Sequence, residues 1–218
     1  MVIKDKIINF LGDSITQGVG ASDVDHGYVS VLGEIYGLRS ANNYGISGTR
    51  IAKRNVLREN ETEDQRFSTR VDSMDPNADI IVVFGGTNDY GHGDAPLGTP
   101  DDRTEDTFYG ACHYLIRSLL DKYPNKTIIA LTPLHRSDEN EVTYKGKEEQ
   151  PTVLADYVRI VREVAHYYSL PICDLWESAE ICPTIASNRE ALCPDGCHPN
   201  DAGHALLAHI LGNFLANL

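Results

Sequence analysis

The sequence predicts a three-layer α/β domain with a mostly parallel sheet. Buried runs alternate along the chain with segments of helical spacing, the pattern of strand–helix–strand units. The segments after the presumed strand ends are long: Gly12 to Gly27, Gly45 to Arg66, Gly85 to Asp106, Thr132 to Gln150 and Trp176 to Asn200. The returns from helix to strand are short, as at Lys122 to Lys126 and at Ser169. Extra chain at one edge of a sheet marks the face where such folds bind ligands. The 218 residues, 41% of them apolar, supply core enough for one domain over residues 1–218.

Lys6 to Leu11 reads as the first buried strand. Tyr28 to Leu38 places Tyr28, Val31, Leu32, Ile35 and Leu38 at helical spacing. Ser40 to Tyr44 is a candidate short strand, and Phe67 to Met74 a short helix stopped by Pro76. Asp79 to Phe84 is the clearest buried strand, since five apolar residues run in succession. A helix over Thr107 to Tyr123 ends before Pro124. Thr127 to Leu131 is a strand, and Pro151 to Tyr168 a helix with proline in its first turn. Leu170 to Leu175 is the last strand. Asp201 to Leu218 is the closing helix, with Ala202, Ala205, Leu206, His209, Ile210 and Phe214 along one side.

A formal net charge of −13 repels nucleic acid and anionic membrane. No apolar run reaches transmembrane length, so no membrane span is expected. Met1 to Phe10 is short, carries Lys4, Asp5 and Lys6, and does not read as a signal peptide. A cytoplasmic location is favoured, with secretion left open. The five cysteines, an odd number, point to mostly free thiols, with a local Cys193–Cys197 disulfide as the alternative. Cys173, Cys182, Cys193, Cys197 and His198 match no common zinc spacing. Three acidic stretches, Glu59 to Asp64, Asp101 to Asp106 and Asp138 to Glu149, read as solvated loops, and none has EF-hand spacing.

Four stretches carry candidate chemistry. Gly12-Asp13-Ser14-Ile15-Thr16 follows the first strand. Ser14 there is either a helix cap or an exposed nucleophile beside backbone N–H groups. The stretch is not a Gly-x-Ser-x-Gly elbow, because position 16 is threonine. Asp195-Gly196-Cys197-His198 sits before the last helix. A turn at Gly196 would let Asp195 accept the Nδ1–H of His198 and leave Nε2 facing a serine; Asp195 equally suits a turn cap. Gly85-Gly86-Thr87-Asn88-Asp89 follows the strongest strand and reads as a turn or as a source of an amide donor, Asn88. Asn43-Tyr44-Gly45-Ile46-Ser47-Gly48 ends the second strand, where Gly45 could offer an unobstructed N–H.

Together these four stretches, in this order and at these strand ends, resemble the SGNH hydrolases, also called GDSL esterases and lipases. The resemblance spans nearly the whole chain. It implies a flavodoxin-like fold with about five parallel strands. It also implies a serine esterase: Ser14 the nucleophile, His198 the general base and then acid, Asp195 the residue orienting it. The Ser14 N–H, the Gly45 N–H and the Asn88 side chain would form the oxyanion hole. Asp13 and Asp89 would be structural, and no metal or cofactor is required. Cys197, beside the base, is a rival nucleophile only in principle.

The substrate is read from the loops. Tyr90-Gly91-His92-Gly93-Asp94 and Leu134-His135-Arg136-Ser137 are polar, and aromatic residues make up only 8% of the chain. A long-chain lipase needs an apolar groove. The expected partner is therefore a small-molecule ester with a short acyl group, acetyl foremost, on a polar alcohol such as a carbohydrate. Arg50, His92, His135 and Arg136 are candidate substrate contacts, and Trp176 is a candidate sugar platform or a rim residue. The alternatives are a longer-chain lipase, lysophospholipase or thioesterase, a carbohydrate-binding module on the same fold, and a flavodoxin-like flavin or nucleotide binder. The last fits poorly, since Asp13 would repel phosphate. Oligomeric state is not legible.

Overall fold

A computed structural model of the chain describes residues 2–56, 64–143 and 151–218. Strand β1 (Ile7–Gly12) leads into a single turn of helix, α1 (Ser14–Gln17), then α2 (Tyr28–Ile35) and β2 (Ser40–Gly45). Helix α3 (Phe67–Arg70) follows, then β3 (Ile80–Phe84), α4 (Thr87–Gly91), α5 (Phe108–Lys122) and β4 (Thr127–Leu131). The chain continues through α6 (Leu154–Tyr167), β5 (Ile172–Cys173), α7 (Leu175–Ser178) and α8 (Ala186–Leu192) to α9 (Asp201–Ala216). All pairings are parallel and the strand order is β2-β1-β3-β4-β5, the flavodoxin-like arrangement.

Side chains alternate across this sheet and both faces are covered. Ile8, Phe10, Ile80, Val82, Phe84, Ile129 and Leu131 pack on one face with residues of α2, α7 and α9. Leu11, Ile81, Val83, Ile128 and Ala130 pack on the other with α3, α5 and α6. Burial on both sides is why β3 reads as an unbroken apolar run. The exception is Asn9 in the middle of β1, fully buried. Its Nδ2 donates to the Asp75 carbonyl (2.9 Å) and the Tyr123 hydroxyl (3.1 Å), and its Oδ1 accepts from Asn42 (2.9 Å). A buried amide with its bonds made is tolerated.

Register positions the site. Gly12, the last residue of β1, pairs with Gly45 of β2 and with Phe84 of β3. The three strands end level, so the stretches that follow them emerge at one edge. The strand order reverses between β1 and β3, which opens a crevice there.

Four expectations are corrected. Pro151 does not enter the first turn of α6: Thr152 pairs with Thr143 across an antiparallel bridge, and Val153 is extended and donates its N–H to Asp156. The buried side of α9 carries Gly203, His204, Leu207, Ala208, Leu211, Gly212 and Leu215, not the predicted stripe. β5 is only two residues long, because Asp174 leaves the sheet to cap α7. α4 and α8 form where only turn and loop were read. The acidic residues 59–63 and 144–149 lie outside the described residues. None of the described helices is long and apolar enough to cross a membrane.

Candidate active site

Ser14 opens α1, with the single residue Asp13 between it and the end of β1. Asp13 caps the turn, its Oδ1 accepting the Ile15 N–H at 3.0 Å. Asp13 is buried, and burial pushes its carboxyl up to about 7; the Ile15 bond opposes this and the nearby Asp89 charge adds to it. Ser14 is itself almost covered, but its Oγ lies 3.0 Å from His198 Nε2.

His198 is held by a turn as short as the sequence suggested. Gly196 has φ +81, where a side chain would be strained. The chain therefore doubles back, and Asp195 receives three hydrogen bonds: from the Cys197 N–H (2.8 Å), the His198 N–H (2.7 Å) and the ring Nδ1 (2.7 Å). Partial burial pulls the Asp195 carboxyl upward, but the bonds from His198 and Cys197 outweigh it and hold it below the ordinary carboxylate range. An ionised carboxylate only accepts, so Nδ1 carries the ring hydrogen and Nε2 is left to accept from Ser14. The rest of the turn is anchored by the Ser137 N–H on the Gly196 carbonyl (2.9 Å).

Asn88 lies in the first turn of α4, after β3. Its Nδ2 donates to the Thr49 carbonyl at 3.0 Å and its Oδ1 faces His92 Nε2 at 3.1 Å. The adjacent Asp89 accepts the N–H groups of Ile51 (3.0 Å) and Ala52 (2.8 Å). Together they bind α4 to the turn that follows β2. Arg70 reaches the same turn from α3. Its guanidinium donates to the Gly12 carbonyl (2.9 Å), the Tyr44 carbonyl and the Thr49 hydroxyl (3.0 Å).

The predicted donor at Gly45 is placed differently. Its N–H donates to Asn43 Oδ1 at 2.8 Å, while Asn43 Nδ2 holds the Thr16 carbonyl at 2.7 Å. A Cβ at Gly45 would fall on the Gln17 nitrogen. Glycine is needed there because α1 lies directly against the end of β2, and its N–H is already engaged. Gly48, three residues on, has φ +75 and open space where a Cβ would stand. The N–H groups of Gly48 and Ser14 make no hydrogen bond among the described residues. The signal for Gly48 was the second glycine of the same stretch, but which N–H is free depends on a turn that sequence does not reveal.

The predicted substrate contacts are engaged elsewhere. Arg50 is buried against Asp64 and the Gly48 carbonyl. His135 bonds Glu139 and the Trp176 carbonyl, and its ring centroid lies 3.8 Å from that of Trp176 with the planes tilted by 32°. Arg136 is tied to Thr87 and Asp138. Trp176 packs at the margin of the core. All five cysteines are free thiols. Burial pushes the Cys197 thiol up to about 11, so at neutral pH it is not a thiolate.

Comparison with known proteins agrees with this arrangement. The model of the GDSL-like Lipase/Acylhydrolase family matches residues 10–206. A solved structure 32% identical to the chain superposes with a TM-score of 0.83, covering 100% of this chain and 99% of its own. A protein from Lactobacillus plantarum is 28% identical with a TM-score of 0.83, over 98% of both chains. The fold alone is shared with a lipase/acylhydrolase from Enterococcus faecalis: 19% identity, 97% of this chain, 96% of that one, TM-score 0.66. No curated protein sequence matches the chain.

Proposed function

The chain belongs to the GDSL-like lipase/acylhydrolase family, and on that premise we propose that it hydrolyses short-chain, foremost acetyl, esters of a polar alcohol through an acyl-enzyme on Ser14. It is a carboxylic ester hydrolase. The observation that carries the mechanism is the continuous chain Asp195–His198–Ser14, with 2.7 Å and 3.0 Å between successive partners.

Ser14 Oγ forms the new bond to the ester carbonyl carbon while His198 Nε2 takes its proton. The imidazolium that results is stabilised by Asp195. The carbonyl electron pair moves to oxygen, where the N–H groups of Ser14 and Gly48 and the second N–H of Asn88 receive it. We assign Gly48 this place instead of Gly45 because its N–H, unlike that of Gly45, has no acceptor among the described residues. The tetrahedral species collapses, the C–O bond to the alcohol breaks, and His198 returns the proton to the leaving oxygen. Water then repeats the sequence on the acyl-enzyme, releasing the acid and restoring Ser14.

The preference for a small acyl group rests on the polar stretches that follow β3 and β4, Tyr90 to Asp94 and Leu134 to Ser137. A depression of about 370 Å³ beside the turn after β2 is lined by Asp64, Gln65, Arg66, Thr69 and Arg70 with Ile46, and its polar side chains could hydrogen-bond a hydroxylated alcohol. With p-nitrophenyl esters from C2 to C12, kcat/KM is expected to peak at C2 to C4 and fall at least about tenfold by C8. A maximum at C8 or beyond would replace this reading with the lipase one.

A further inference from the structure

We propose that His92, held by Arg54, is a positioning residue that fixes which end of the Asn88 side chain faces the crevice; the inference rests on the esterase reading above. An amide presents a carbonyl and an NH₂ of nearly equal shape, and only the NH₂ favours an oxyanion. Something must therefore choose between the two orientations.

The choice follows from hydrogen-bond polarity. Arg54 Nη2 lies 3.1 Å from His92 Nδ1. A guanidinium only donates, so Nδ1 accepts, and in the neutral ring Nε2 bears the hydrogen. That Nε2–H points at Asn88 Oδ1, 3.1 Å away. On the other side of the amide stands the Thr49 carbonyl, which only accepts and lies 3.0 Å from Nδ2. Flipping Asn88 would set its NH₂ against the His92 N–H and its carbonyl against the Thr49 carbonyl. Both contacts become repulsive at once. The donors thus run one way, from Arg54 through His92 to Asn88. One amide hydrogen goes to Thr49, and the second is left for the substrate. His92 is kept in place by its own N–H on the Asn88 carbonyl oxygen of the main chain, 3.0 Å, within the same turn. Its role is thus to orient Asn88, not to contact substrate.

Glutamine and asparagine separate the two ring nitrogens. A glutamine amide nitrogen reaches the position of Nε2, whereas asparagine reaches only that of Nδ1. With p-nitrophenyl acetate, H92N and H92A are expected to lose about tenfold to 100-fold in kcat with KM within about twofold, and H92Q to recover most of the loss. N88A alone is expected to lose about 100-fold to 1,000-fold, and adding H92A to N88A should lower kcat no further, because a residue acting only through Asn88 has nothing left to orient. Thermal midpoints of every variant, measured beside the rates, separate loss of orientation from loss of fold. Full kcat in H92A, no recovery in a folded H92Q, or an additive loss in the double variant would overturn the proposal while Ser14-dependent hydrolysis stood. A wild-type chain without Ser14-dependent hydrolysis would remove the esterase reading and the proposal with it.

Discussion

Two aspartates, one next to Ser14 and one three residues before His198, are shifted in opposite directions. Asp195 is stabilised as a carboxylate by three donors, as its task beside His198 requires. Asp13 is buried and its carboxyl rises from 3.8 to about 7. The folded protein therefore keeps a proton on Asp13 that the unfolded chain has already released, so stability declines as pH rises from about 4 to about 7, by at most about 1.4 kcal/mol per pH unit. Asn in place of Asp13 keeps the oxygen that caps α1 and removes the charge. D13N is expected to flatten the stability slope across that window, read from urea midpoints at pH 4.5, 5.5, 6.5 and 7.5. An unchanged slope in D13N would assign it to other groups. Residues whose partners are close in sequence were legible: Asp195 and His198 meet across one turn. Gly48 and His92 were not, because the direction of a main-chain N–H and the tautomer of a ring are set by Arg54, Asn88 and Thr49, which only the fold gathers.

Elements were legible where burial is two-sided or where a proline bounds them. β3 announced itself by five apolar residues, and the end of α5 by Pro124; the structure adds the cap at its start, where the Thr107 hydroxyl accepts the Gly110 N–H at 3.1 Å. The face of α9 was misread because the helix is apolar almost all round; its buried side includes two glycines and His204, which a hydrophobic count discounts. Its close packing is why those small residues are inside. Strand β5 pairs only with β4, and the chain leaves it as soon as Asp174 can cap α7. The contact that matters most for chemistry is α1 against the end of β2. A methyl at Gly45 would strike the backbone of Thr16 and Gln17, which cannot swing aside as a side-chain tip can. G45A is therefore expected to be destabilised by about 1–3 kcal/mol and to lose activity as Ser14 shifts. Wild-type stability in G45A, by chemical denaturation, would show that α1 does not depend on this approach.

At the scale of the whole molecule, the parallel sheet makes one site from the two ends of the chain. β1 and β3 are neighbours across the reversal in strand order, so Ser14 and Asn88 leave the sheet side by side. α9 packs against α2, and the turn before it sets His198 over Ser14; the Ser22 N–H on Asp201, 2.7 Å, ties the two ends directly. Strand alternation and loop lengths made this edge legible, whereas the acyl and alcohol specificity depends on loop shapes that composition only hints at. The central claim is that Ser14, activated by His198 from the far end of the chain, is the nucleophile. Labelling with a fluorophosphonate, followed by intact mass and peptide mapping, tests it most directly. One adduct on Ser14 is expected in the wild type, with none in S14A and a rate of labelling at least about 100-fold lower in H198A. Undiminished labelling of S14A, or an adduct mapped to Cys197 or another residue, would contradict the account.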